Sequence, residues 1–154
     1  MSRTVKHSVS VAGVIVDGEQ RVLLVRRRDN GEWHIPGGVL ELDEDVYSGL
    51  RREVLEETGL RVEPVGLTGI YKNMTLGVVA LVFRCRRRNG VLTVSDETSE
   101  FVWATAPEVR QCTTEAFAIR VDDALAPSDP IAVRTHDGQR LVGPSRAATA
   151  GEKS

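Results

Sequence analysis

Residues 37 to 60 read GGVLELDEDVYSGLRREVLEETGL, a glycine turn, a helix with a start signal, and a glycine stop. Glu53, Glu56 and Glu57 stand on that helix at offsets of three and four residues, so the three carboxylates are neighbours on one face. Like charges so spaced destabilise an isolated helix, and nothing basic interleaves among the three. A solvated face would alternate its signs. A bound cation is the simplest physical reason for such a face, and oxygen ligands select a hard one, Mg2+ or Mn2+. The competing reading is an acidic helix face of purely structural origin.

The local signals around the carboxylates are consistent. Asp43 is an N-cap candidate, with Glu44 and Asp45 placing negative charge on the first turn, where the helix dipole favours it. Val46, Leu50 and Val54 recur every four residues and form the stripe to be buried. Gly59 sits where a helix ending at Thr58 calls for a left-handed residue. Arg52 is adjacent to Glu53 in the chain and so points elsewhere, back toward Glu44 or the turn before the helix. Gly37 and Gly38 allow close approach of the backbone to a ligand or metal, with a carbonyl available as a further ligand.

Gly38, five residues, Glu44, seven residues, and then Arg52-Glu53-Val54-Leu55-Glu56-Glu57-Thr58-Gly59-Leu60 fill every fixed position of a known signature. The segment resembles the Nudix box of the Nudix hydrolases. Leu23-Leu24-Val25, Trp33-His34-Ile35-Pro36 and Trp103 extend the likeness over residues 8 to 125. The resemblance implies an α/β fold, an α/β/α sandwich with a mixed central β-sheet. It also implies metal-dependent hydrolysis of a nucleoside diphosphate linked to another moiety. Carried onto this chain, it makes Glu53, Glu56, Glu57 and the Gly38 carbonyl ligands of Mg2+ or Mn2+. It makes Arg52 the group that orients Glu53, and Glu44 the partner of Arg52. The acidic loop before Phe101-Val102-Trp103 resembles the place where the family adds one more carboxylate. Glu100 is favoured over Glu97 there, so Glu53 or Glu100 takes the proton of the attacking water.

The bulk properties bound the rest. At 154 residues the chain is one domain's worth, and 41% hydrophobic with 27% charged residues is ordinary for a soluble globular protein. A net charge of -2 gives no electrostatic case for a nucleic-acid polymer. No apolar run approaches a membrane span, so a cytoplasmic protein is the default expectation. Cys85 and Cys112 have no metal-like spacing and read as reduced structural thiols. His7, His34 and His136 lie in separate elements and read as structural or exposed.

In chain order, residues 7 to 16 predict a strand and 21 to 27 a second, joined as a hairpin through Asp17-Gly18. Arg26-Arg27-Arg28 admits two readings, a fork for a substrate phosphate or a solvated strand end. Arg27 and Arg28 are carried as substrate candidates. Trp33 either stacks on a base or walls the core. Pro64 and Gly66 are expected to break the strand after the box, and Thr75 to Cys85 predicts a central strand. Arg86 to Gly90 reads as a polar turn and Val91 to Val94 as a short return strand. Thr114 is an N-cap for a packing helix with Phe117, Val121 and Leu125 as its stripe, expected to carry no function. A terminal hairpin around His136-Asp137-Gly138 would complete a single domain over 1–142, with 143–154 a disordered tail.

Substrate identity is not carried by the box. An oxidised nucleoside triphosphate and an ADP-sugar both suit the length, and no added motif of coenzyme A or NADH branches is present. A domain that senses a nucleotide without hydrolysing it is the alternative from another class, although it would not need all three carboxylates. Small-molecule nucleotides are the expected partners, and a homodimer is compatible with the family's habits.

Overall fold

The valine-rich run after His7 has no polar face, so its strand must be covered on both sides. In a computed structural model, which describes residues 4–143, it is. Residues 144–154, most of the expected disordered tail, lie outside the described residues. In chain order the elements are β1 (Ser8–Ile15), β2 (Val22–Arg27), β3 (Trp33–His34), β4 (Gly37–Val39), α1 (Val46–Thr58), β5 (Leu60–Asn73), β6 (Val78–Gly90), β7 (Thr98–Ala104), α2 (Ala106–Cys112), α3 (Glu115–Leu125) and β8 (Ala132–His136).

A five-stranded sheet runs β4-β1-β6-β5-β8, and a three-stranded sheet runs β3-β2-β7. In the larger sheet β1–β6 and β5–β8 are parallel and β1–β4 and β5–β6 antiparallel, so it is mixed. Alternation along β1 sorts its side chains to two layers. Val11 and Ile15 join Leu50 and Val54 of α1, with Phe83 and Cys85 of β6. Ala12 and Val14 join Val109 of α2 and Ala118, Val121 and Ala124 of α3. The molecule is therefore the expected α/β/α sandwich. At its far edge Arg134 of β8 makes a bidentate pair with Asp123 of α3, both bonds 2.8 Å, and Asp123 also accepts from the Tyr71 hydroxyl.

Several local expectations are corrected by long-range pairing. β1 and β2 do not form a hairpin; beyond a single Val16–Val22 bridge they enter different sheets. Pro64 and Gly66 bend β5 through register shifts without breaking it. Pro64 is tolerated because β8 pairs only with Gly69 to Asn73, leaving β5 an edge where the proline sits. Arg86 to Gly90 continue β6 against the start of β5, with the three arginines exposed. Val91 to Val94 form no strand; they cross the end of α1, where the Thr93 N–H donates to the Thr58 carbonyl.

The helix start also moves. Asp45, not Asp43, is the N-cap, accepting from the Ser48 N–H at 2.8 Å, so α1 has no acidic residue in its first turn. Glu44 is instead held before the helix. The stop is as expected, with Gly59 at φ 82. A Cβ there would both meet the Val91 carbonyl and occupy a left-handed backbone. Gly59→Ala is expected to destabilise the protein by at least about 1–2 kcal/mol, read as a lower urea midpoint; an unchanged midpoint would contradict this packing.

Candidate active site

The inner face of α1 carries Gly49, Leu50, Glu53, Val54, Glu57 and Thr58, all buried. Leu50 and Val54 bury because they are apolar, and the same helical period brings Glu53 and Glu57 in with them. Each is only 9% exposed. Opposite lies β4, whose glycines leave room. A Cβ on Gly38 would fall inside the Glu53 carboxylate, and one on Gly37 would fall against the β1 backbone. The Gly37 N–H donates to Glu57 Oε1 at 3.0 Å.

Arg52 braces this arrangement. It donates to both oxygens of Glu44, at 2.9 and 2.6 Å, and reaches the Val39 carbonyl at 3.5 Å. Its Nη1 lies 3.6 Å from Glu53 and 3.2 Å from Glu56. The guanidinium holds Glu44 down to about 2. Two expectations are corrected here. A basic residue does interleave among the carboxylates, and Glu56 does not converge with the other two. It is 53% exposed and turned to Arg52. Among the described residues, no three acidic, histidine or cysteine side chains already form a cage for an ion.

Burial pushes Glu57 up from its ordinary 4.5 to about 7, opposed by the Gly37 N–H and reinforced by Glu53 and Glu97. Burial raises Glu53 too, opposed by Arg52. Glu57 has no ion-pair partner among the described residues. Two buried carboxylates, a neighbouring backbone carbonyl and a glycine cradle are a donor set that fits a hard divalent cation. Replacing the missing countercharge is what such a cation would do there.

Glu57 opens into a cavity of about 140 Å³ shared with Val25, Arg27, Asp29, His34 and Glu97. The acidic loop thus contributes Glu97. Glu100 stands inside β7 and pairs with Arg26 at 2.7 Å, because the β2–β7 register sets them opposite each other. Of the two, Glu97 and not Glu100 lines the cavity with Glu57. Arg28 is not among the residues lining this cavity; it donates to the Ser95 carbonyl at 2.7 Å and pins the loop. Arg27 stays, paired with Asp29 and lining both this cavity and a second one.

The second cavity, about 240 Å³, runs from Gly37 and Gly38 past Trp33 to Phe117 and Arg120 of α3. Trp33 is half-buried there, with the Arg26 guanidinium 5.8 Å from its ring centroid. His34 divides the two cavities. Its Nδ1 lies 2.6 Å from the Ile35 carbonyl, which can only accept, so Nδ1 carries the proton. Burial pushes its pKa down, keeping the ring neutral. In the sequence His34 reads as structural or exposed, and Arg120 is not singled out. The available signal for Arg120 is a charged residue among Ala116, Phe117, Val121 and Ala124 on an apolar face.

Comparison with known proteins agrees with this geometry. The NUDIX domain family model matches residues 6–124. The chain belongs to the Nudix family. This Nudix hydrolase is 54% identical over 136 residues to a MutT-like protein of Streptomyces ambofaciens, with 88% of each chain covered. It is 34% identical over 98 residues to an 8-oxo-dGDP phosphatase of Mus musculus, matching 61% of this chain and 30% of that one. An ADP-ribose pyrophosphatase structure from Streptococcus suis superposes with a TM-score of 0.71 at 22% identity, covering 85% of this chain and 100% of that one, and shows the Nudix fold. No helix of the described residues is long and apolar enough to cross a membrane.

The raised Glu57 sets a pH dependence. With its native value above the unfolded one, its contribution to stability is complete below 4.5 and is lost as pH rises through about 7. The full loss is roughly 3 kcal/mol. In chelator, Glu57→Gln is therefore expected to match the wild type near pH 4 and exceed its stability by up to roughly 3 kcal/mol at pH 8. Urea melts at the two pH values check it, and a constant difference between the proteins would contradict the burial of this carboxylate.

Proposed function

We propose that this Nudix hydrolase cleaves the diphosphate linkage of a nucleoside diphosphate derivative, with Mg2+ or Mn2+ held by Glu53, Glu57 and the Gly38 carbonyl. Glu56 joins them on rotating away from Arg52. The observation that carries this reading is the Glu57 carboxylate, buried without an ion-pair partner among the described residues beside a glycine pair shaped to its neighbour Glu53.

A diphosphate resists attack because its oxygens repel a nucleophile, and a bound divalent cation supplies the screening and acidifies a water. The chain's own residues do the positioning. Arg52, anchored on Glu44, fixes the rotamer of Glu53, which takes the proton of the attacking water. Glu97, across the smaller cavity from Glu57, is the additional carboxylate in place of Glu100. Arg27, already oriented by Asp29, offers its fork to a substrate phosphate. Neutral His34 keeps an acceptor, Nε2, free between the cavities.

Glu53→Gln and Glu57→Gln are expected to lower turnover by at least about a hundredfold while remaining folded. Glu97→Gln should lower it clearly more than Glu100→Gln. The assay is phosphate or monophosphate release from nucleoside triphosphates, their 8-oxo forms and nucleotide sugars, with Mg2+, Mn2+ or chelator. Turnover that survives chelation, or Glu57→Gln at full activity, would overturn the metal reading. Tight nucleotide binding with no release from any of them would instead identify a sensing module.

A further inference from the structure

Arg120 lies in the interior of α3 and is only 7% exposed, yet it has no carboxylate partner among the described residues. Its Nε is buried without any hydrogen-bond partner. Its Nη2 lies 3.3 Å from His136 Nε2, but that contact does not satisfy it. His136 Nδ1 accepts from the Gly138 N–H at 2.9 Å, so in the neutral ring Nε2 bears the proton. Burial and the charge on Arg120 both push the His136 pKa down and keep the ring neutral. An arginine has no lone pair to offer, and two donors therefore face each other. The cation rests on ring faces instead, 4.6 Å from the Phe117 centroid and 5.0 Å from that of Tyr71. The Tyr71 hydroxyl is itself committed to Asp123.

A buried guanidinium with an unsatisfied Nε is costly to keep, and Arg120 lines the larger cavity. That cavity offers two aromatic side chains, Trp33 and Phe117, apolar walls from Val11, Ala12 and Ile35, and an open end at Gly38 beside the carboxylates. Flat walls leading from the cleavage site to a donor-only group fit a nucleobase. Of the other charged residues on the same cavity, Arg27 is already paired with Asp29 and Glu32 adds negative charge, which disfavours an anion beside Arg120.

We propose that Arg120 reads the base of the substrate and selects a nucleotide whose base presents ring carbonyl oxygen, a 6-oxopurine, over adenine. This rests on the nucleotide reading above and deepens it. A guanidinium can donate two bonds to the O6/N7 edge of a 6-oxopurine, whereas the matching edge of adenine puts an amino donor against it. Adenine in this cavity would leave the donors of Arg120 partly unpaired, as they are without ligand.

The test is calorimetric binding of IDP and ADP, whose bases differ at position 6, alongside hydrolysis of ITP and ATP. The wild type is expected to bind IDP at least about tenfold more tightly. Arg120→Met, which removes an unpaired buried charge and so should fold, is expected to bring the ratio to near one. Arg120→Lys keeps the charge without the fork and should retain only part of the preference. Equal affinities in the wild type, or an unchanged ratio in a folded Arg120→Met, would overturn the assignment. Should Arg120→Met not fold, an unchanged ratio in Arg120→Lys would do the same. Inorganic phosphate whose binding falls in Arg120→Met would overturn it in favour of an anion site. A preference for IDP with no hydrolysis of either triphosphate would uphold the base reading while removing the catalytic one; hydrolysis without preference would do the reverse.

Discussion

Two carboxylates on the buried side of a helix, facing the paired glycines of a short strand, are the constraint on which the site depends. Glu53 and Glu57 are drawn inward by the same helical period that buries Leu50 and Val54. They cannot swing out to water without losing that packing, and Gly37 and Gly38 allow the strand close enough to engage them. The arrangement is electrostatically unfinished. Arg52 compensates Glu44, Glu56 and part of Glu53, whereas among the described residues Glu57 has only the Gly37 N–H and the more distant charge of Arg27, and no ion-pair partner.

The two sheets complete the site around that helix. β4 is held to β1 in the larger sheet, so the glycine strand is fixed relative to the core. The smaller sheet brings β2, β3 and the start of β7 to the same place, and with them Arg27, His34 and Glu97. The third wall comes from α3, with Phe117 and Arg120, and α3 is tied to β8 by Asp123 and Arg134. One end of the site is thus acidic and polar, and the other is aromatic with a cation, Arg120, that has no carboxylate partner among the described residues. That division matches a molecule with a phosphate end and a flat end.

What the sequence disclosed follows the range of the forces involved. The carboxylate spacing, the buried stripe and the Gly59 stop depend on neighbours within one or two turns, and all were readable in residues 46 to 59. The sandwich was readable because the Nudix box is specific, while composition and period alone gave only alternating elements. Asp43 was mistaken for Asp45 because both sit in a run of acidic residues, and only the Ser48 partner separates them. That Glu97 lines the cavity with Glu57 while Glu100 faces Arg26 could not be read locally, because it is set by a β2–β7 register with a shift at Arg26/Arg27. The β1–β2 hairpin failed for the same reason, since the partner strands come from elsewhere in the chain. Arg120 broke an apolar helix face in plain view, but its significance needed the third dimension.

The most direct measurement is Mn2+ binding to the nucleotide-free protein, followed by calorimetry or by the relaxation of solvent protons, in the wild type and in Glu57→Gln. Saturable binding in the wild type that is strongly weakened in the folded variant is the required result, and it should release protons near pH 7. Equal Mn2+ binding by the two proteins would mean that the buried carboxylate is not there for a cation.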